Sequence, residues 1–406
     1  MKILRLFCRI ITGLVFIFSG TVKAVDPLGS AYKFSDYFQA FNLDFLQPFA
    51  LALAIVLCTA EFISGFSVLS GYKIKWGIRG VMILMLIFTP VTLILAINNP
   101  VSDCGCFGDA IHLTNWQTFG KNLILLVFAV ILITGENDAK QLFSQVKEWI
   151  VISLLTMLFV CFSMLNLRYL PLFDFLPYKK GVNIPEKMKI PEGKLTDEYK
   201  TTFIYEKNGS KKEFTLENYP ADDSTWKFID QKSVLIKKGY TPPIHDFSIT
   251  SADGEDLTGK ILSDTGYTFL MISKKLAEAR RQNLEKGFEI GTQCLLDGIG
   301  FYIITASGTG EVKEFSNGLA FCTADETTLK TIVRANPGFI LLKEGTILGK
   351  WSWSNLPMKE KFVRNMTEEQ IRKINNKSSV LVVYSLAISV IVLLLLISSF
   401  FRRTKL

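Results

Sequence analysis

The stretch GIRGVMILMLIFTPVTLILAIN, residues 77–98, carries a single charge, Arg79. A bilayer core requires roughly 20 consecutive apolar residues of helix, so this stretch reads as a membrane span. Working outward, comparable segments fall at 3–24, 47–70, 115–134, 149–169 and 378–401, giving six spans in all. Residues 172–376, between the fifth and the sixth, form one polar block. With 406 residues, 49% hydrophobic content and a mean hydropathy of +0.30, the chain is too apolar for an ordinary soluble protein and too charged to lie wholly in lipid. The expected fold class is an α-helical multi-pass membrane bundle joined to an α/β domain outside the membrane, with the lipid bilayer as its first partner.

Basic residues in the short connections set the orientation. Lys2, Arg5 and Arg9 lead segment one, Lys73, Lys75 and Arg79 join segments two and three, Lys140 and Lys147 precede segment five, and Arg402, Arg403 and Lys405 close the chain. Six crossings put all of these clusters on one side, so both termini are expected in the cytoplasm. The loops 25–46 and 99–114 and the block 172–376 are then extracytoplasmic, and the protein belongs in the cytoplasmic (inner) membrane. Segment one also has the basic, apolar start of a signal peptide, but its length and its lack of an Ala-x-Ala site favour an uncleaved helix. The net charge of +8 is carried largely by these anchors, which suit anionic headgroups, and nucleic acid is not an expected partner.

The chain divides into a four-helix membrane unit (1–138), a fifth helix (139–171), a linker with a β-hairpin (172–238), an α/β domain (239–357), and a linker, sixth helix and tail (358–406). Thr114-Asn115-Trp116-Gln117 has capping-box spacing and marks the start of helix four. The run 170–178, apolar and broken by Pro171 and Pro177, cannot continue a helix and is expected along the membrane surface. Strands at 199–205 and 212–216 flank Asn208-Gly209 as a hairpin, with further alternation at 233–237. Beyond these, a strand at 267–272, a charged helix at 274–286, a strand at 300–305, a helix at 325–334 and strands at 339–343 and 346–351 make a β-α-β half followed by a hairpin.

Chemistry concentrates at Cys104-Gly105-Cys106, in the polar loop between segments three and four. Two cysteines one residue apart close only a small ring, which favours exchange, although a permanent loop staple remains the alternative. Helix four begins too far downstream for its dipole to act on Cys106 unless the loop folds back. His112 is a candidate base that would raise the thiolate fraction. Asp103, Asp109 and His112 surround the thiols in an order that also allows a metal set, but the spacing is atypical for structural zinc and no metal is expected. Glu61 is an ionisable group inside a span, costly unless it pairs or lines a functional cavity; Lys23 is the nearest basic candidate by depth, as an ion pair or as part of a proton relay. Ser64, Gly65 and Gly71 would allow close helix packing around it. Cys8, Cys58 and Cys161 read as inert, whereas Cys294 and Cys322 are either paired or free.

Phe18-Ser19-Gly20 with Lys23 and Asp26-Pro27, Glu61 with Gly65 and Gly71, and Asp103-Cys104-Gly105-Cys106-Phe107-Gly108 resemble the DoxX/MauE group of small four-helix membrane proteins over about the first third of the chain. That resemblance implies an extracytoplasmic thiol-disulfide or protein-maturation role, drawing on membrane quinone as other four-helix disulfide-forming proteins do. Pro243-Ile244-His245-Asp246-Phe247, the turn Asp253-Gly254 and Pro337 before the last hairpin resemble a thioredoxin-like domain of extracytoplasmic disulfide reductases. The resemblance makes Pro337 a structural cis-proline. The family's Cys-x-x-Cys is absent, its place taken by Ile272-Ser273-Lys274-Lys275-Leu276. Together the two halves look like a DoxX-family arrangement of Bacteroidetes-type bacteria. Two functions are therefore carried forward. One is a thiol-disulfide oxidoreductase acting on a protein client or thiol carrier through Cys104 and Cys106; the other is a non-enzymatic scaffold whose outer domain binds a protein or envelope partner.

Overall fold

The computed structural model describes residues 2–99, 101, 104–136, 145–195, 198–207, 209–215, 218–220, 223, 225–237, 239–315, 318–357, 369–371 and 373. The sixth apolar segment, 378–401, and Asp103 lie outside the described residues. Five helical segments among those described are long and apolar enough to cross a membrane, and the chain is a multi-pass membrane protein. The spans are carried by α1 (Lys2–Val25), α3 (Ala50–Ser70), α4 (Ile74–Asn98), α5 (Asn115–Ile133) and α6 (Gln145–Tyr169). The connection expected at 25–46 holds a further helix, α2 (Pro27–Ala40), followed by a 3-10 turn over Asp44–Phe49. The reason is local: Asp26 accepts from the Gly29 N–H and Pro27 occupies the first helical position, a strong start signal that the sequence reading treated only as the end of helix one.

α1 packs on α3, α3 on α4, α4 on α5 and α5 back on α1, so the first four spans close a bundle. Glycine sets the approach of α1 to α3. A Cβ on Gly20 would lie 2.6 Å from the Cys58 carbonyl oxygen, and one on Gly65 would lie 2.8 Å from the Ile17 nitrogen. Thr114 and Gln117 form the expected capping box at the start of α5.

After α6 the chain runs as coil through 170–181 to the short α7 (Ile184–Met188). The hairpin module is a three-stranded antiparallel sheet, β2-β1-β3, of β1 (Glu198–Lys207), β2 (Ser210–Thr215) and β3 (Lys227–Lys237). The α/β domain follows with β4 (Thr250–Ser251), α8 (Thr258–Leu262), β5 (Tyr267–Ser273), α9 (Arg281–Leu296), β6 (Gly300–Thr305), α10 (Thr309–Phe315), β7 (Phe321–Thr323), α11 (Glu326–Ile332), β8 (Gly338–Lys343) and β9 (Thr346–Ser352). Its six strands are ordered β4-β7-β6-β5-β8-β9, with β5 parallel to β6 and antiparallel to β8.

The central strand β5 is buried at every position, and its period-2 alternation divides the core. Leu270 and Ile272 face one layer with Ile340 and Leu342; Phe269 and Met271 face the other with Phe339 and Trp351. Trp351 stacks on Phe269 at 5.9 Å, so this aromatic packs the domain. The helix expected at 274–286 starts later, at Arg281. Leu276 is drawn into the core, its N–H bound by Ser307 Oγ at 2.9 Å, and that of Ala277 is taken by Glu311, which keeps residues 274–280 out of a helical ladder.

Candidate functional site

α4 ends at Asn98 and α5 begins at Asn115, and between them the chain turns back over the bundle. Gly105 (φ +61) and Gly108 (φ +53) supply left-handed backbone at the turn, and the Gly108 N–H closes on the Gly105 carbonyl at 3.0 Å. Phe107 pins the loop, edge-on to Phe18 at 5.4 Å and beneath Lys121 Nζ at 4.4 Å. Tyr37 of α2 donates to the Cys104 carbonyl. In this loop the Cys104 and Cys106 sulfurs stand 3.2 Å apart, both half-buried. A disulfide would require them to close to about 2.05 Å.

Beneath the loop lies an ion pair between Lys23 Nζ and Glu61 Oε1 at 2.6 Å, both residues buried. Lys23 also donates to Ser19 Oγ at 3.1 Å. That hydroxyl lies 2.9 Å from Glu61 Oε2 and 2.8 Å from the Cys106 carbonyl, so a continuous polar chain joins the intramembrane pair to the cysteine loop. Ser19, Lys23, Glu61, Cys106 and Lys121 wall one small cavity. A second cavity, of about 230 Å³, adjoins it and shares Lys23, Phe88 and Cys106 in its wall. Cys104 and Cys106 line it with Phe34, Phe38 and Phe88, and Lys23, Lys33 and Tyr37 supply its polar edge.

The two thiols share one proton unequally. The hydrogen bond from the Cys104 thiol, then the charges of Lys121 and Lys23, push the Cys106 thiol down to about 6 against the opposing effect of burial. The same hydrogen bond, together with burial, holds Cys104 well above the ordinary thiol range. His112 is exposed on the loop, and Asp109 is held by Arg334 at 2.7 Å. In the reduced protein, alkylation of Cys106 is expected to rise with pH through a midpoint near 6, leaving roughly a tenth as thiol at pH 7. Lys121→Gln should move the midpoint up by about one unit, read by iodoacetamide labelling and peptide mass.

The α/β domain is seated on this loop. Arg334, just past α11, reaches Asp26 Oδ2 and Asp109 Oδ2, each at 2.7 Å, bridging the start of α2 to the cysteine loop. Its guanidinium, Lys274 and Lys330 all lie over the Tyr32 ring, at 5.4, 5.4 and 5.0 Å. Ser273 donates to Asn336 Oδ1 at 2.7 Å, and the Asn336–Pro337 peptide is cis. Cys294 and Cys322 are both buried, in opposite core layers, and burial pushes their thiols up to about 12 and about 11. They do not pair with each other.

Sequence reasoning missed Lys121, Tyr37 and Arg334, and took Asp26 only as the end of helix one. Lys121 had a signal, being a cation inside an apolar helix like Lys23. Arg334 had none, because its carboxylates lie 225 and 308 residues away in the chain.

Residues 1–135 match the family described as methylamine utilisation protein MauE. The N-terminal third is similar to MauE. Residues 199–238, the hairpin module, match a domain of unknown function (DUF8463). Among solved structures, the solution structure of a candidate protein disulfide isomerase from Bacteroides thetaiotaomicron is similar at 17% identity and a TM-score of 0.23, over 32% of this chain and 84% of that one. No curated protein matches.

Proposed function

We propose that the chain is a membrane thiol-disulfide protein whose Cys104–Cys106 pair accepts electrons from dithiol clients outside the cytoplasm and passes them to a quinone. The observation that carries this reading is two near-touching sulfurs, the thiol of Cys106 pushed down in pKa by the hydrogen bond from Cys104 and by nearby lysines, at the mouth of an apolar, aromatic cavity at the membrane edge. In the disulfide state a client thiolate attacks the Cys104 sulfur. The Cys104–Cys106 bond breaks and Cys106 leaves, because the thiol of lower pKa is the better leaving group. The second client thiolate then attacks the client sulfur in the mixed disulfide, releasing the oxidised client and Cys104, which takes up a proton. The client has lost two electrons and the pair has gained them.

Re-forming the disulfide gives up two electrons and the one proton carried by Cys104; a quinone would accept both electrons and that proton and take its second proton from water outside the membrane. Phe34, Phe38 and Phe88 would flank its ring, and Lys23 and Lys33 offer donors for a carbonyl oxygen. The thioredoxin-like domain, which lacks Cys-x-x-Cys and keeps its own cysteines buried, would present clients to the loop without exchanging electrons. That same absence favours a second reading, a non-enzymatic scaffold in which Cys104 and Cys106 form a fixed staple.

Trapping in intact cells with a membrane-impermeant, mass-shifting alkylator separates the two. The redox reading expects the pair oxidised in normal growth and reduced when quinone is depleted. A pair in the same state in normal growth, with added reductant and after quinone depletion would leave only the scaffold.

A further inference from the structure

The coil after α6 lines a cavity of about 580 Å³ whose wall begins at Tyr169 and Leu170, where the span Val146–Tyr169 ends. It therefore opens at the depth where lipid headgroups begin. Lys179, Lys180, Arg334 and Lys350 line it against one carboxylate, Asp174. Lys350 Nζ is buried and held 2.6 Å from Asp174 Oδ2 and 3.1 Å from the Tyr178 carbonyl, and Arg334 is bound by Asp26 and Asp109 from the bundle side. Even with those two carboxylates counted, cations remain in excess. Lys179 and Lys180 stand exposed and make no ion pair among the described residues. Beside the cations, the exposed rings of Phe173 and Phe175 stack at 6.5 Å, giving an apolar shoulder on the same coil.

We propose that this cavity binds a phosphate group through Lys179 and Lys180, presented by the headgroup of an anionic lipid whose chains lie along Phe173 and Phe175. The volume exceeds what inorganic phosphate alone would fill, and the pairing of excess positive charge with exposed aromatics at the end of a span matches an amphiphile. Because Lys350 and Arg334 come from the α/β domain and Phe173 from the coil after α6, a bound headgroup would tie that domain to the membrane surface.

The test is native mass spectrometry of the full-length chain in detergent, titrated with phosphatidylglycerol or phosphatidylcholine, with inorganic phosphate as competitor. Phosphatidylglycerol adducts are expected. Lys179→Gln/Lys180→Gln should bind about 25-fold more weakly, at about fivefold per lysine, while Lys179→Arg/Lys180→Arg and the hairpin variant Lys211→Gln/Lys212→Gln bind as the native chain does. Lack of competition by millimolar phosphate assigns the site to a lipid headgroup, and full competition assigns it to free phosphate. Equal loss in the cavity and hairpin variants, or equal binding of phosphatidylcholine, overturns the proposal. The Cys104–Cys106 chemistry is not involved in any of these readouts.

Discussion

Given oxidised client, Cys106→Ser is expected to accumulate a mixed disulfide, formed as Cys104 attacks the client disulfide and expels one client thiolate, while catalysed oxidation of reduced client falls to the chain-free background. Cys104 is the sulfur assigned to the client, and serine at 106 removes both the leaving thiolate and the partner that re-forms the disulfide. Cys104→Ser should be equally inactive but trap no client, because the remaining sulfur at 106 is the one walled in by Ser19, Glu61 and Lys121. Non-reducing electrophoresis after acid quenching, followed by mass spectrometry of the adduct, reads both outcomes. Trapping by Cys104→Ser instead of Cys106→Ser would reverse the assignment of the sulfurs. If cells tolerate both serine variants and no adduct forms, the exchange reading fails and the scaffold stands.

How much of this was open to a reader of the sequence depends on the range over which each feature is encoded. The spans are local: 77–98 declares itself by composition, and α4 is observed at Ile74–Asn98. Strands with period-2 alternation were equally plain, so β6 falls at the expected 300–305 and β9 within one residue of its expected end. Boundaries failed where a tertiary contact overrode propensity. Residues 274–280 are rich in helix formers, yet Leu276 is anchored in the core and the helix waits until Arg281.

The candidate site splits in the same way. Cys104, Cys106 and Glu61 stood out because each residue type is unusual in its setting, and depth alone nominated Lys23 as the partner of Glu61, which the 2.6 Å contact shows. No single-sequence pattern could reveal that Ser19 links this pair to the Cys106 carbonyl, that Lys121 supplies charge to the thiol, or that Arg334 reaches back from the α/β domain. These depend on which elements meet, and composition does not record that.

Glu61→Leu tests whether the polar chain under the loop holds the fold together as well as serving the chemistry. It leaves Lys23 buried without its carboxylate, and breaking a buried pair from one side costs about 3–5 kcal/mol, because the remaining charge keeps its desolvation penalty. The melting temperature in detergent should drop accordingly. Lys23→Met/Glu61→Leu removes both charges together and should recover most of the loss, since apolar replacement of a whole buried pair is often near neutral. The same double variant discriminates a second role. It deletes the Lys23 charge that helps hold Cys106 as thiolate, along with the smaller opposing charge of Glu61, and it removes the Glu61 partner of Ser19, whose other contact is the Cys106 carbonyl. Its Cys106 alkylation midpoint should therefore move upward and its disulfide should re-form more slowly, in a protein that melts close to the native temperature. A double variant with native stability, native midpoint and native re-oxidation would reduce Lys23 and Glu61 to a helix clamp, leaving Lys121 as the remaining cation acting on the thiolate.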